Sequence, residues 1–204
     1  MKKRKASTWS NMTSAAMTSK NKMTRTTLLL LSGVFGCSIA AAPDLSNWSQ
    51  IGDAEIDIDN NSASNSGPRE ASNYIVSTDT YEDVRLSVEF LIDAATNSGI
   101  FIRCSDSKSV SPETCYEINI WDEHENPDHR TGSIVLMAPP VAHVNTVGEW
   151  STMQIEAVDD LIVVEVNGVE TVRFRNDKFA SGHVALQFGA GGSLQFRNVQ
   201  VEAL

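Results

Sequence analysis

Two short alternating segments, 97–104 and 115–122, carry the side chains best suited to chemistry. Along Tyr116-Glu-Ile-Asn-Ile-Trp-Asp, the residues Glu117, Asn119 and Trp121 fall on the face opposite Tyr116, Ile118 and Ile120. Along Asn97-Ser-Gly-Ile-Phe-Ile-Arg, the alternation is expected to put Arg103 on the same polar face. Core packing does not account for a carboxylate there. Glu117 could act as a base or metal ligand, Arg103 could hold an oxyanion, and Trp121 offers a flat aromatic platform for a ligand. An Arg103–Glu117 ion pair and a packing role for Trp121 are the plainer alternatives.

The segment Asp122-Glu-His124-Glu-Asn-Pro-Asp128-His129 is the densest group of potential metal ligands in the chain. Its oxygen and imidazole donors, His124 and Asp128 among them, could hold calcium, manganese or zinc, and no spacing selects one. A solvated acidic loop reads equally well from the same residues.

Such residues need a rigid sheet beneath them, and the rest of the chain reads as β throughout. Val84, Leu86, Val88, Phe90 and Ile92 alternate with Arg85, Ser87 and Glu89. Asn167-Gly168 between two alternating runs is the strongest short hairpin signal available. Further strands are expected over 51–59, 133–138, 152–157, 183–189 and 193–203, with 60–73 a polar loop. Helical periodicity is missing beyond the first 42 residues. Roughly ten or more short strands punctuated by Gly and Pro imply an all-β sandwich or barrel.

Residues 1–42 read differently. A basic start, the apolar run from Leu28 and the small-residue segment Cys37-Ser-Ile-Ala-Ala-Ala42 describe a signal segment too short to span a bilayer. Val34-Phe-Gly-Cys37 resembles a bacterial lipobox with Cys37 as the lipidated residue; cleavage within 39–42 would instead release a soluble product. Met12, Met17 and Met23 offer alternative starts. Either route predicts export from a bacterial cell, to the periplasm or outer-membrane surface as a lipoprotein or to the medium, leaving one domain at 43–204.

That domain keeps nine basic residues against all 26 acidic ones, a net charge of −17. Such a surface repels phosphate backbones, which excludes a nucleic-acid partner and favours a neutral or cationic ligand. Cys104 and Cys115 are its only thiols, and both flank the polar excursion between the two functional segments. In an oxidising compartment their bridge would stabilise the fold by roughly 2–4 kcal/mol.

Six blocks in order, Asn97-Ser-Gly-Ile-Phe-Ile-Arg, Tyr116-Glu-Ile-Asn-Ile-Trp-Asp, Ala138-Pro, Gly148-Glu-Trp, Val166-Asn-Gly-Val and Phe196-Arg-Asn-Val, resemble the 3-keto-disaccharide hydrolase domain family. The resemblance implies a concanavalin A-like jelly roll of two antiparallel sheets, with a carbohydrate site on the concave one. It also implies hydrolysis of glycosides oxidised at the third carbon, or elimination followed by hydration. A ketone at that carbon acidifies the hydrogen on the second, so one base and one group to hold the enolate oxygen suffice; some members are thought to use a divalent metal there. Carried over, the resemblance assigns Glu117, Arg103 and Asp122 to catalysis and Asn97, Asn119, Trp121 and Gln187 to the sugar.

One departure stands out. The family commonly follows its penultimate-strand Gln with a His two residues on, whereas Gln187-Phe-Gly-Ala contains none. The proton carrier is then lost or supplied by His124 or His129. A non-catalytic sugar-binding surface protein on the same fold is therefore the alternative function, and the oligomeric state is open.

Overall fold

The computed structural model describes residues 43–65 and 71–204. The expected leader at 1–42, with its lipidation candidate Cys37, lies outside the described residues. Within them run β1 (Ser49–Ile51), β2 (Asp57–Asp59), β3 (Ser62–Asn65), β4 (Asn73–Tyr81), β5 (Val84–Ile92), β6 (Ser98–Cys104), β7 (Tyr116–Ile120), β8 (Ser151–Val158), β9 (Leu161–Val166), β10 (Val169–Arg175), β11 (Gly182–Phe188) and β12 (Leu194–Ala203). They form a five-stranded sheet, β1-β4-β11-β6-β7, and a seven-stranded sheet, β10-β9-β8-β5-β12-β3-β2. Every strand pairing is antiparallel. Of the sandwich and barrel that the alternation allowed, this is the sandwich, in the jelly-roll form that the resemblance implied.

The period-2 pattern sets which face each sheet buries. Val84, Leu86, Val88, Phe90 and Ile92 of β5 are all buried, and so are Ile75, Leu186, Ile100 and Ile118, which line up as register partners across β4, β11, β6 and β7. Burying each such side chain stabilises the fold by roughly 1.5–3 kcal/mol. Phe188 of one sheet meets Phe196 of the other edge to face at 5.5 Å. The Asn167-Gly168 turn takes positive φ at both positions, 52° and 76°, which closes β9 onto β10 with two residues.

Three expectations need correction. The strand expected over 51–59 divides at the glycine-containing turn after Ile51: β1 joins the five-stranded sheet and β2 the seven-stranded one. The loop expected over 60–73 contains β3, whose Ser and Asn content hides a real pairing with β12. The strand expected over 133–138 folds back on itself, with the Ile134 and Ala138 amides and carbonyls exchanging bonds of 2.9 Å around Leu136 at φ 63°.

Arg103 overturns the simple alternation. Phe101 pairs with Ala185 and Cys104 with His183, so Ile102 and Arg103 together oppose Val184. This bulge, with Arg103 at φ 54°, turns its side chain away from the Glu117 face. The guanidinium is 1% exposed and donates to the carbonyls of Glu82 (2.8 Å), Asp159 (2.8 Å) and Phe179 (3.3 Å) and to the Asp83 carboxylate (3.4 Å). It ties together the β4–β5 turn, the β8–β9 turn and the segment before β11. Arg103→Ala leaves those part-buried acceptors without their donor, so urea unfolding should show a loss of about 2–3 kcal/mol. A loss under about 1 kcal/mol, the range of exposed ion pairs, would contradict this role.

Candidate functional site

At the edge of the five-stranded sheet, β7 presents its outward face beneath two loops. Asn119 N donates to Ser133 O (3.0 Å), Gly132 N to Asn119 O (2.9 Å) and Val135 N to Glu117 O (2.9 Å), so 132–135 is laid along β7 by backbone bonds. The second loop, 121–131, is tied by side chains. Asp122 accepts from the hydroxyls of Thr131 and Thr146 (2.9 Å to the latter), and Thr131 Oγ1 in turn accepts the Trp121 N–H at 2.9 Å. Between these loops opens a cleft of about 280 Å³ lined by Asn97, Glu117, Asn119, Trp121, His124, His129, Val135 and Leu136.

Glu117 is the centre of this cleft chemically. It is 8% exposed, and among the described residues no group hydrogen-bonds its carboxylate. Burial first, and the negative charge of Glu113 second, push its pKa from the usual 4.5 to about 7. Gly99 makes the room: a Cβ there would lie 3.2 Å from Glu117 Oε1 and 3.3 Å from its Cγ. A carboxyl that titrates near neutrality and lacks a fixed partner suits a general base.

The histidines come from the loop. His124 Nδ1 sits 3.0 Å from the Asn126 amide nitrogen and 3.1 Å from the Asn126 carbonyl oxygen, so one ring nitrogen is held by the loop backbone while Nε2 is left for a ligand. His124 packs edge-on to Trp121 at 4.4 Å, with the His129 ring 5.3 Å away. The Asn119 amide donates to the His129 carbonyl and accepts the Ile120 N–H at 3.1 Å, so it pins the histidine loop to the sheet. Asn97 has no such side-chain commitment in the described residues and keeps its amide for a ligand.

The other expected site residues are placed elsewhere. Arg103 is outside the cleft because of the bulge. Asp122 lines a neighbouring pocket of about 160 Å³ with Glu123, Arg130 and His143, and both its oxygens are used on the threonines and the Thr146 N–H. Gln187 stands one strand in, opposite Gly99; its Nε2 reaches Ser72 (3.2 Å) and Tyr74 (3.3 Å), while Oε1 is buried without a partner. Asp128 is exposed on the short turn Pro127–His129, and no group of three or more His, Cys, Asp or Glu residues assembles a metal site among the described residues.

Position 189 explains the missing histidine. A Cβ on Gly189 would lie 2.2 Å from the Asn97 carbonyl oxygen, so any side chain there forces the Asn97 loop to move. Sequence reasoning missed Gly99, Val135 and Leu136. The Ser-Gly pair at 98–99 was the one available signal, since glycine inside a strand marks a close approach.

The 3-keto-alpha-glucoside-1,2-lyase-like domain matches residues 40–202, nearly the whole of the described chain. The chain belongs to this family. No curated protein matches it. Among solved structures, it is similar to two Parabacteroides distasonis proteins assigned as glycosyl hydrolases. One is 25% identical with a TM-score of 0.65, covering 79% of this chain and 95% of that one; the other is 19% identical with a TM-score of 0.65, covering 80% and 91%. The carbohydrate-binding module CBM66 of Bacillus subtilis shares the fold at 15% identity and a TM-score of 0.59, covering 80% of this chain and 98% of that one.

Glu117 is the group whose protonation burial alters by a large margin. Its folded pKa lies above its unfolded value, so the native state binds the proton more tightly: no penalty exists below 4.5, and it grows until pH passes 7. Glu117→Gln should therefore unfold like the wild type at pH 4 and be more stable than it at pH 8, by up to about 3 kcal/mol. Denaturant midpoints at the two pH values measure this; an equal effect at both would show that Glu117 is not held unpaired in the fold.

Proposed function

We propose that this family member is an exported carbohydrate-active enzyme that eliminates the aglycone from 3-keto-glycosides, with hydration following. The observation that carries this reading is the buried, unpartnered Glu117 carboxyl facing the cleft with a pKa of about 7. Glu117 takes the proton from the second sugar carbon, the electron pair passes into an enolate on the third-carbon oxygen, and its return expels the anomeric oxygen as the aglycone. That oxygen takes up one proton, and one water later adds across the new double bond. With Arg103 committed elsewhere, the His124 imidazole supplies the donor to the developing negative charge, and the Asn97 amide and Trp121 ring hold the sugar. The Cys104–Cys115 disulfide supports an oxidising, exported setting. Lipidation at Cys37 and release after cleavage are both consistent with it.

The specific observation favouring the second reading, a non-catalytic sugar-binding protein, is Gly189: the family's usual histidine cannot stand there beside the Asn97 carbonyl. Incubation with 3-keto-trehalose or a 3-keto-aryl glucoside, with and without chelator, separates the two. The enzyme reading expects aglycone release whose kcat/KM climbs with pH to a plateau above about 7, because the base acts only when ionised. Glu117→Gln should lower that rate roughly 10²–10⁴-fold. Sugar binding without release in either condition would establish the binding-protein reading instead.

A further inference from the structure

Leu136 is 65% exposed and sits at φ 63°, a left-handed conformation that a leucine side chain opposes sterically. It occupies the tip of the turn closed by Ile134 and Ala138, and its neighbour Val135 is bonded through N–H to the carbonyl of Glu117 at 2.9 Å. The turn therefore carries Leu136 at a fixed offset from the base. Val135 and Leu136 are the two aliphatic side chains of a cleft otherwise lined by amides, imidazoles, an indole and a carboxyl. A strained, exposed apolar residue held over a reacting group is expected where it meets a ligand, since strain of this kind concentrates at functional sites.

A sugar ring needs hydrogen-bond partners on nearly every carbon, which Asn97, Glu117 and His124 can supply in the cleft, while the aliphatic pair is carried separately by the turn. The anomeric substituent is the part of a glycoside free of that demand. We propose that Val135 and Leu136 form the subsite for the leaving group and select 3-keto-glycosides whose aglycone is aromatic or otherwise apolar; this rests on the elimination reading above. During the step, Glu117 receives the proton of the second carbon, the C1–O bond breaks, and the departing phenol-type oxygen takes a proton while its ring lies against Leu136. The contact stabilises the aglycone without hydrogen bonds, and so adds nothing for a methyl group.

The informative variant is Leu136→Gly, because glycine accepts positive φ freely and the turn keeps its shape while the side chain disappears. Rates would be compared on 3-keto phenyl α-glucoside and 3-keto methyl α-glucoside, alongside calorimetric binding of phenyl and methyl α-glucoside to the full chain. The expected result is a wild-type preference for the phenyl compounds of roughly ten-fold or more, abolished in Leu136→Gly when read as the phenyl-to-methyl ratio of kcat/KM and of affinity. Turnover with no aryl preference, or a preference that survives in Leu136→Gly, overturns the subsite and leaves the elimination reading standing. No turnover together with an aryl binding preference lost in Leu136→Gly keeps the subsite and overturns the reaction. A wild-type dimer that becomes monomeric in Leu136→Gly would assign the residue to an interface and overturn the proposal.

Discussion

The burial of Arg103 is the constraint on which the rest of the architecture depends. One guanidinium gathers three backbone carbonyls and a carboxylate from segments far apart in sequence, and it does so only because a bulge in β6 swings it off the sheet's outward face. The same bulge brings Phe101 and Cys104 into one apolar cluster with Cys115, so the disulfide and the rotated arginine are two outcomes of one extra residue. Beyond Cys115 the chain runs straight into Glu117. The Glu117 carboxyl is therefore positioned by a covalent link on one side and by the loops paired along β7 on the other.

The electrostatics of the molecule separate into two halves. On the seven-stranded sheet and its turns, Arg85, Arg173, Arg175 and Arg197 each pair with carboxylates, and Arg197 also stacks on Trp150 at 3.7 Å. Exposed pairs of this kind stabilise little individually. On the five-stranded sheet the carboxylate that matters stands without a cation, with Glu113 on the disulfide-closed loop adding repulsion. A surface so acidic, with basic groups committed elsewhere, favours a neutral substrate over an anionic one.

Much of this was legible beforehand, for identifiable reasons. The period-2 pattern of β5 and the Asn167-Gly168 turn specify their structures locally, and the outward parity of Glu117, Asn119 and Trp121 follows from an unbroken run of alternation. Arg103 was placed on the wrong face because a bulge is a property of two strands together: only its partner β11 reveals that two residues oppose one. Asp122 was misjudged for a related reason, since the threonines that consume its oxygens are nine and 24 residues away. The segment 133–138 has strand-like composition, yet its backbone serves β7 on one side and itself on the other.

The crossing of Gly189 beneath the Asn97 carbonyl has a consequence for how this sequence can change. The volume that a side chain at 189 would fill is taken by the Asn97 carbonyl, so a substitution at 189 alone has to displace that backbone. What position 189 can hold is thus decided by the course of a loop more than ninety residues away in sequence, and a change at either place is coupled to a change at the other.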